Sequence, residues 1–235
     1  MKTIFIAGVS SGIGRGLAEE HLRRGDTVYA VGQHEAKPLT SHPRFHFMSI
    51  DLYDADMMRD TLRTFVVGRQ FDRVVLNAAI YPDMRNMVDT TLDTLRYVMN
   101  ANVWAHKHII DAILSHTQTE QIIALSASPI LFNHPGMGAY AISKAALNTL
   151  IELYAKEFLY VHFSAIAPEL IQTPTFSAFL QEGNSERYPV IQRIRDSHIL
   201  PLNQGIIKLL DAFEKVKRIK SGSFIEMKKL ARSDL

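Results

Sequence analysis

Apolar positions along this 235-residue chain fall into two alternating kinds of run. Short runs rich in β-branched and aromatic residues, at 3–7, 27–31, 45–50, 73–77, 121–126, 161–166 and 223–227, are predicted to be strands. Longer runs between them cover 12–24, 54–67, 91–115, 139–158 and 204–217, and are predicted to be helices. Gly25 follows the first of these, where a left-handed residue ends a helix. Ala145, Ala146 and Ala155 suit the 139–158 helix to close packing. Residues 168–201 carry a weaker pattern, punctuated by Pro168, Pro174, Pro189 and Pro201. Strand and helix alternating at this spacing mean βαβ units. The expectation is an α/β fold: a doubly wound parallel sheet of about seven strands, helices on both faces, one domain over residues 1–235. No internal repeat, low-complexity tract or linker interrupts it.

Composition narrows the picture. At 47% hydrophobic and 21% charged the chain can build a large core and is not of the disordered class. The net charge is +2. The late basic residues, among them Lys215, Lys217, Arg218, Lys228 and Lys229, are interleaved with Asp211, Glu214 and Glu226. That describes a solvated face, and no nucleic-acid partner is expected. There is no cysteine, which excludes disulfides, thiolate catalysis and cysteine-ligated metal, and fits a cytoplasmic location. The apolar stretch Ile4 to Ala7 is too short for a signal peptide, and no run approaches the length of a membrane span. The ten histidines show no metal-ligand pairing: His106 and His108, two apart, fall on different helix faces. No metal is expected.

The first predicted strand runs into Gly8-Val9-Ser10-Ser11-Gly12-Ile13-Gly14, and a helix follows. A turn this tight needs positions free of Cβ clashes, and a dinucleotide pyrophosphate must approach the backbone closely. The helix N-terminus offers unpaired N–H groups and positive potential to phosphates. Ser10 and Ser11 add hydroxyls. A second constellation is Tyr140-Ala141-Ile142-Ser143-Lys144. Residues four apart on a helix share a face, so Tyr140 and Lys144 point the same way. An isolated phenol ionises near pH ~10. A nearby cation stabilises phenolate and is expected to lower that pKa, making Tyr140 a usable acid/base.

The G-x-x-x-G-x-G turn and the Y-x-x-x-K pentapeptide together resemble the short-chain dehydrogenase/reductase family, over residues 3 to about 227. The resemblance implies a Rossmann-like fold, nicotinamide-dependent hydride transfer between carbonyl and alcohol, Tyr140 as general acid/base, and Lys144 tuning it and holding the nicotinamide ribose. Asp51-Leu52 resembles the family's Asp–Val/Leu pair, which implies that Asp51 accepts from the adenine amino group. Leu76-Asn77-Ala78-Ala79 resembles N-N-A-G, with Asn77 and Ala78 matching. Asn102 stands where the family places an asparagine whose backbone carbonyl holds a water near the lysine; neighbouring Asn100 leaves the register open. Pro168-Glu169-Leu170-Ile171-Gln172-Thr173 resembles P-G-x-V-x-T, which implies that the Ile171 backbone holds the carboxamide and the Thr173 hydroxyl assists. Ala7 replaces a usual threonine, and Glu169 a usual glycine.

The family's polarising serine, thirteen residues before the tyrosine, is Ala127 here, flanked by Ser126 and Ser128. Ser128 is preferred, because Ser126 falls within the predicted strand. The alternative is a mechanism with no serine, as in the dihydropteridine reductases, whose C-terminal S-G-S-x-I strand resembles Ser221 to Ile225. The second strand ends at Val31-Gly32-Gln33-His34, without the acid that would repel a 2′-phosphate, so NADP(H) is favoured over NAD(H). Phe176, Phe179, Leu180 and Tyr188 either line a substrate pocket within about 173–201 or pack helices. The rival to an enzyme is a cofactor-sensing binding protein that kept the fold and lost turnover. Surplus apolar residues on the 91–115 helix, including Leu95, Val98, Trp104 and Ile113, exceed one sheet contact and predict a homodimer or homotetramer.

Overall fold

The computed structural model describes residues 1–51, 55–128 and 132–230, with the backbone alone at 55–57 and 59. Seven strands make one parallel sheet: β1 (Thr3–Ala7), β2 (Thr27–Gly32), β3 (Phe45–Ser49), β4 (Arg73–Leu76), β5 (Gln121–Leu125), β6 (His162–Ala167) and β7 (Ser223–Glu226). Their order is β3-β2-β1-β4-β5-β6-β7. β1 lies inside the sheet, with Ile4 opposite Val28 on one side and Arg73 on the other. β4 and β5 are buried along their whole length, which is why each reads as an apolar run after its first residue, Arg73 and Gln121, and those two hydrogen-bond to each other.

Side chains alternate across the sheet and divide the core in two. Ile4 and Ile6 pack with Leu17 of α1 (Gly12–Arg23) and with Leu209 and Phe213 of α8 (Leu202–Lys215). Phe5 and Ala7 point the other way. There they meet α2 (Ala55–Val66), α4 (Ala105–His116) and α5 (Gly138–Glu157) through Leu62, Ile109, Ile110, Leu147 and Ile151. Helices therefore cover both faces, as the alternation predicts. A third cluster, Phe132, Met137, Tyr140, Phe179, Tyr188 and Ile191 among others, lies over the strand ends.

Three features were not foreseen. The helix expected over 91–115 begins as α3 (Leu92–Met99), widens into a π turn at Asn100–Trp104, and resumes as α4. The weak segment holds α6 (Pro174–Glu182) and α7 (Val190–Arg195). Thr173 caps α6 by accepting from Phe176 N, with Pro174 in the first turn, a helix-start signal legible in Thr-Pro. A two-residue parallel ladder pairs Gln70–Phe71 with Gln118–Thr119. The chain moves from β3 back to β4 beside β1, so the crevice at this reversal opens at the carboxyl ends of β1 and β4.

Candidate active site

The reversal point carries a cleft of about 310 Å³, and most of its wall follows the ends of strands. Residues 8–13 come from the β1–α1 turn, 32–34 from the end of β2, 77–81 from the segment after β4, and Leu125 and Ser126 from the end of β5. The glycines are required by space. A Cβ on Gly14 would lie 1.8 Å from Gly8 O, and one on Gly8, whose φ is +85°, would lie 2.8 Å from Ala78 Cα. Asn77 Nδ2 donates to Gly8 O at 2.6 Å and ties the turn to β4. Ser11 occupies the N-cap of α1 without a side-chain cap bond. Among the described residues, the turn, the helix N-terminus and its hydroxyls form a cradle that a phosphate-bearing dinucleotide fits.

Of the residues singled out for the cofactor, Gly8, Ser10, Ser11, Gly12 and Ile13 line the cleft, as do Gln33, Asn77, Ala78, Pro168 and Thr173. Gly14 does not; it lies beneath the turn and lets Gly8 approach. Asp51 stands beside the cleft, its Oδ1 accepting from Gln33 Nε2 at 2.9 Å. Leu52 lies outside the described residues. Ile171 is buried and bridged to Leu200. The peptide groups on either side of Ile171 make that bridge, Gln172 N to Leu200 O and Leu200 N to Leu170 O. The N–H and C=O of Ile171 itself therefore face away from Leu200.

α5 delivers Tyr140 and Lys144 to the same wall, both almost fully buried. Lys144 Nζ donates to Leu125 O at 2.8 Å and lies 5.7 Å from the Tyr140 ring centroid. Burial lowers the Lys144 pKa from 10.5 to about 7. The expected lowering of the Tyr140 pKa is overturned in this state. Burial first, then the charge and hydrogen bond of Tyr81, hold it well above 10.0, so Tyr140 is a neutral phenol. Tyr140 Oη donates to Tyr81 Oη at 3.1 Å, and the two rings stack at 4.3 Å.

The serine preference also needs correcting. Ser128 Oγ donates to Glu226 Oε2 at 2.8 Å, and Ser128 is not part of the cleft wall. Glu226, at the end of β7, is bound by Lys229 and Lys228 as well, and its pKa is lowered to about 2, chiefly by Lys229. That carboxylate is a stronger acceptor for Ser128 than a neutral site above it would be. Ser126 does line the cleft, with its hydroxyl donated to Asn148 Oδ1 at 2.6 Å.

Asn102 is fully buried in the π turn and acts through its side chain. Its Oδ1 accepts from Ile80 N at 2.8 Å, and its Nδ2 donates to Ile80 O and Ser143 Oγ. One turn on, His106 Nε2 meets Ala78 O at 2.8 Å, and burial lowers the His106 pKa to about 3. Together these two fix the segment from Ala78 to Ile80. Sequence reasoning missed Tyr81, whose only signal was its place just after that segment. A second cavity of about 420 Å³ adjoins the cleft across Tyr81 and Thr175, walled by Pro82, Met84, Phe179 and Tyr188. Phe176, by contrast, is core. No group of three His, Asp or Glu among the described residues is placed to hold a metal, and no described helix is long and apolar enough to cross a membrane.

A strand-order reversal, a glycine cradle and a Tyr–Lys pair in one cleft define a dinucleotide-dependent α/β protein. The sequence matches the short chain dehydrogenase family over residues 2–183, and the chain belongs to that family. It is an NAD(P)-dependent oxidoreductase acting on small molecules. It is 25% identical over 181 residues to an uncharacterised oxidoreductase of Saccharomyces cerevisiae, YIR035C, covering 73% of this chain and 71% of that one. It is 23% identical over 211 residues to the (S)-benzoin-forming benzil reductase of Bacillus cereus, covering 82% and 84%. The YIR035C crystal structure superimposes with a TM-score of 0.82 at 20% identity over 99% of both chains.

Proposed function

We propose that the protein is a carbonyl reductase in which Tyr140 is the general acid/base and Lys144 its electrostatic partner. The observation that carries the reading is that both side chains, four apart on α5, enter the cleft whose floor is the glycine turn. The cofactor, when bound, supplies or accepts a hydride at its nicotinamide ring. Gly8, Ser10, Ser11 and Gly12 would take its pyrophosphate, Asn77 and Ala78 its middle, and Ile171 and Thr173 the carboxamide. Tyr140, a neutral phenol here, donates its proton to the substrate oxygen in reduction and takes it back in oxidation. Lys144 stabilises the resulting phenolate. Asn102 and Ser143 brace this wall from beneath.

NADP(H) is the favoured cofactor, since Gln33 and His34, not an acid, reach the cleft from the end of β2. The segment over about 173–201 forms the substrate side. Its apolar and aromatic cavity, and similarity to a benzil reductase, favour a bulky or aryl ketone or vicinal diketone. The test is NADPH- and NADH-dependent reduction of benzil and 1-phenyl-1,2-propanedione. Tyr140→Phe should lower turnover at least ~100-fold with cofactor affinity nearly unchanged. A Phe variant within a few-fold of wild type would sink the assignment.

A further inference from the structure

With Ala127 at the usual serine position, Ser128 turned onto Glu226 and Ser126 onto Asn148, no serine among the described residues is hydrogen-bonded to the Tyr140 hydroxyl. A phenol is. Tyr81 stacks on Tyr140 with ring centroids 4.3 Å apart and planes within 19°, so the two hydroxyls lie side by side, 3.1 Å apart. Phe179 packs against the Tyr81 ring in a tilted contact, with centroids 5.4 Å apart. The preceding residue is held at both its N–H and its C=O by Asn102. Tyr81 is thus held through the backbone that precedes it and by ring contacts with Tyr140 and Phe179. It also borders both the cofactor cleft and the larger cavity.

We propose that Tyr81 is a second substrate-binding and catalytic hydroxyl, which donates to the carbonyl oxygen alongside Tyr140 and replaces the missing serine. The inference rests on the carbonyl-reductase reading above. Tyr81 uses its oxygen to accept from Tyr140, and its own proton has no acceptor among the described residues. A carbonyl oxygen entering between the hydroxyls exchanges one phenol–phenol bond for two phenol–substrate bonds. In reduction, hydride reaches the carbonyl carbon and the C=O π pair moves onto oxygen. Tyr140 then transfers its proton to that oxygen, while Tyr81 keeps its proton and stabilises the developing charge through its hydrogen bond. The substrate beyond the carbonyl extends past the Tyr81 ring into the cavity with Pro82, Met84, Phe179 and Tyr188.

Tyr81→Phe removes one oxygen and keeps the stacked ring. NADPH-dependent reduction of 1-phenyl-1,2-propanedione should lose about 10- to 100-fold in kcat, the scale of losing one oxyanion donor or somewhat less. NADPH affinity by fluorescence titration should stay within about threefold. Without the hydroxyl that raises the Tyr140 pKa, the alkaline limb of kcat/KM should also move to lower pH. Ser128→Ala and Ser126→Ala should each leave kcat within about threefold. A Tyr81→Phe kcat within threefold of wild type would overturn the proposal, and so would a larger loss in either serine variant. Parallel loss of NADPH affinity and kcat would overturn it too, by making Tyr81 a packing residue. Absence of turnover in the wild type, or a fully active Tyr140→Phe, would instead remove the reading on which it rests.

Discussion

Lys144 is held in an environment that suits its chemistry and not the stability of the fold. Its ammonium is almost fully buried, its contact is a neutral carbonyl, and its pKa falls from 10.5 to about 7. Between those values the unfolded chain binds more protons than the folded one, so this residue makes stability rise with pH across that window. Lys144→Met should therefore stabilise the ligand-free protein at pH 7, by about 1–3 kcal/mol, on the precedent of buried charges replaced by apolar groups. The gain should shrink towards pH 10, while turnover is lost. Thermal melts of both proteins at the two pH values check it, and a destabilised variant at pH 7 would refute it. The Tyr140–Lys144 pair was legible because helical spacing alone puts i and i+4 on one face. The serine was not. The orientation of Ser128 is decided by Glu226, ninety-eight residues away on another strand, and no local spacing encodes that contact.

Among elements, the π turn at Asn100–Trp104 has the most far-reaching effect. It places Asn102 against the backbone of Ile80 while His106, one turn further, holds Ala78. The apolar residues of 91–115 hid the turn, because they span more than one helical stripe and so leave no single stripe for an inserted residue to break visibly. Substituting Asn102→Ala would take this partner from the part-buried N–H and C=O of Ile80. The expected loss is about 1–3 kcal/mol, from about 0.5–1.5 for each of the two bonds, together with a fall in kcat as the segment bearing Tyr81 loosens. Urea denaturation and steady-state assays measure both; a variant unchanged in each would show the clamp to be incidental. Strand positions were read well for a related reason. A parallel strand buried on both faces needs an apolar run, and β1, β4 and β5 supply it. The segment after Pro168 was obscure because its helices are short and partly serve a cavity.

At the scale of the whole molecule, the alternation of runs was enough to indicate a parallel sheet covered on both faces. It could not give the partner surface, but the fold narrows it. Tyr97 and Trp104, seven apart, and Ile142 and Leu153, eleven apart, remain 43–52% exposed on α3, the π turn and α5. On α5 the eleven-residue spacing returns to one helix face. We expect this face to pair with a second copy in a symmetric homodimer or homotetramer. Trp104→Glu combined with Leu153→Glu should reduce the sedimenting mass to that of one chain. A wild-type protein already sedimenting as one chain at micromolar concentration would exclude the assembly.

The bridge between Ile171 and Leu200 has a consequence for how such an enzyme changes its diet. The chain leaves the sheet after Ala167, passes the bridge at Ile171, builds α6, α7 and part of the wall of the larger cavity, and returns to the bridge at Leu200. Because exit and entry are stitched together, the excursion behaves as a cassette with adjoining ends. Its length and sequence can be exchanged at little entropic cost to the rest, since closing a loop whose ends already meet depends only weakly on its length. Hydride chemistry stays with the strand ends. On the proposed reading, in which this excursion supplies part of the substrate side, exchanging it should change substrate preference and leave the strand-end residues of the cleft in place.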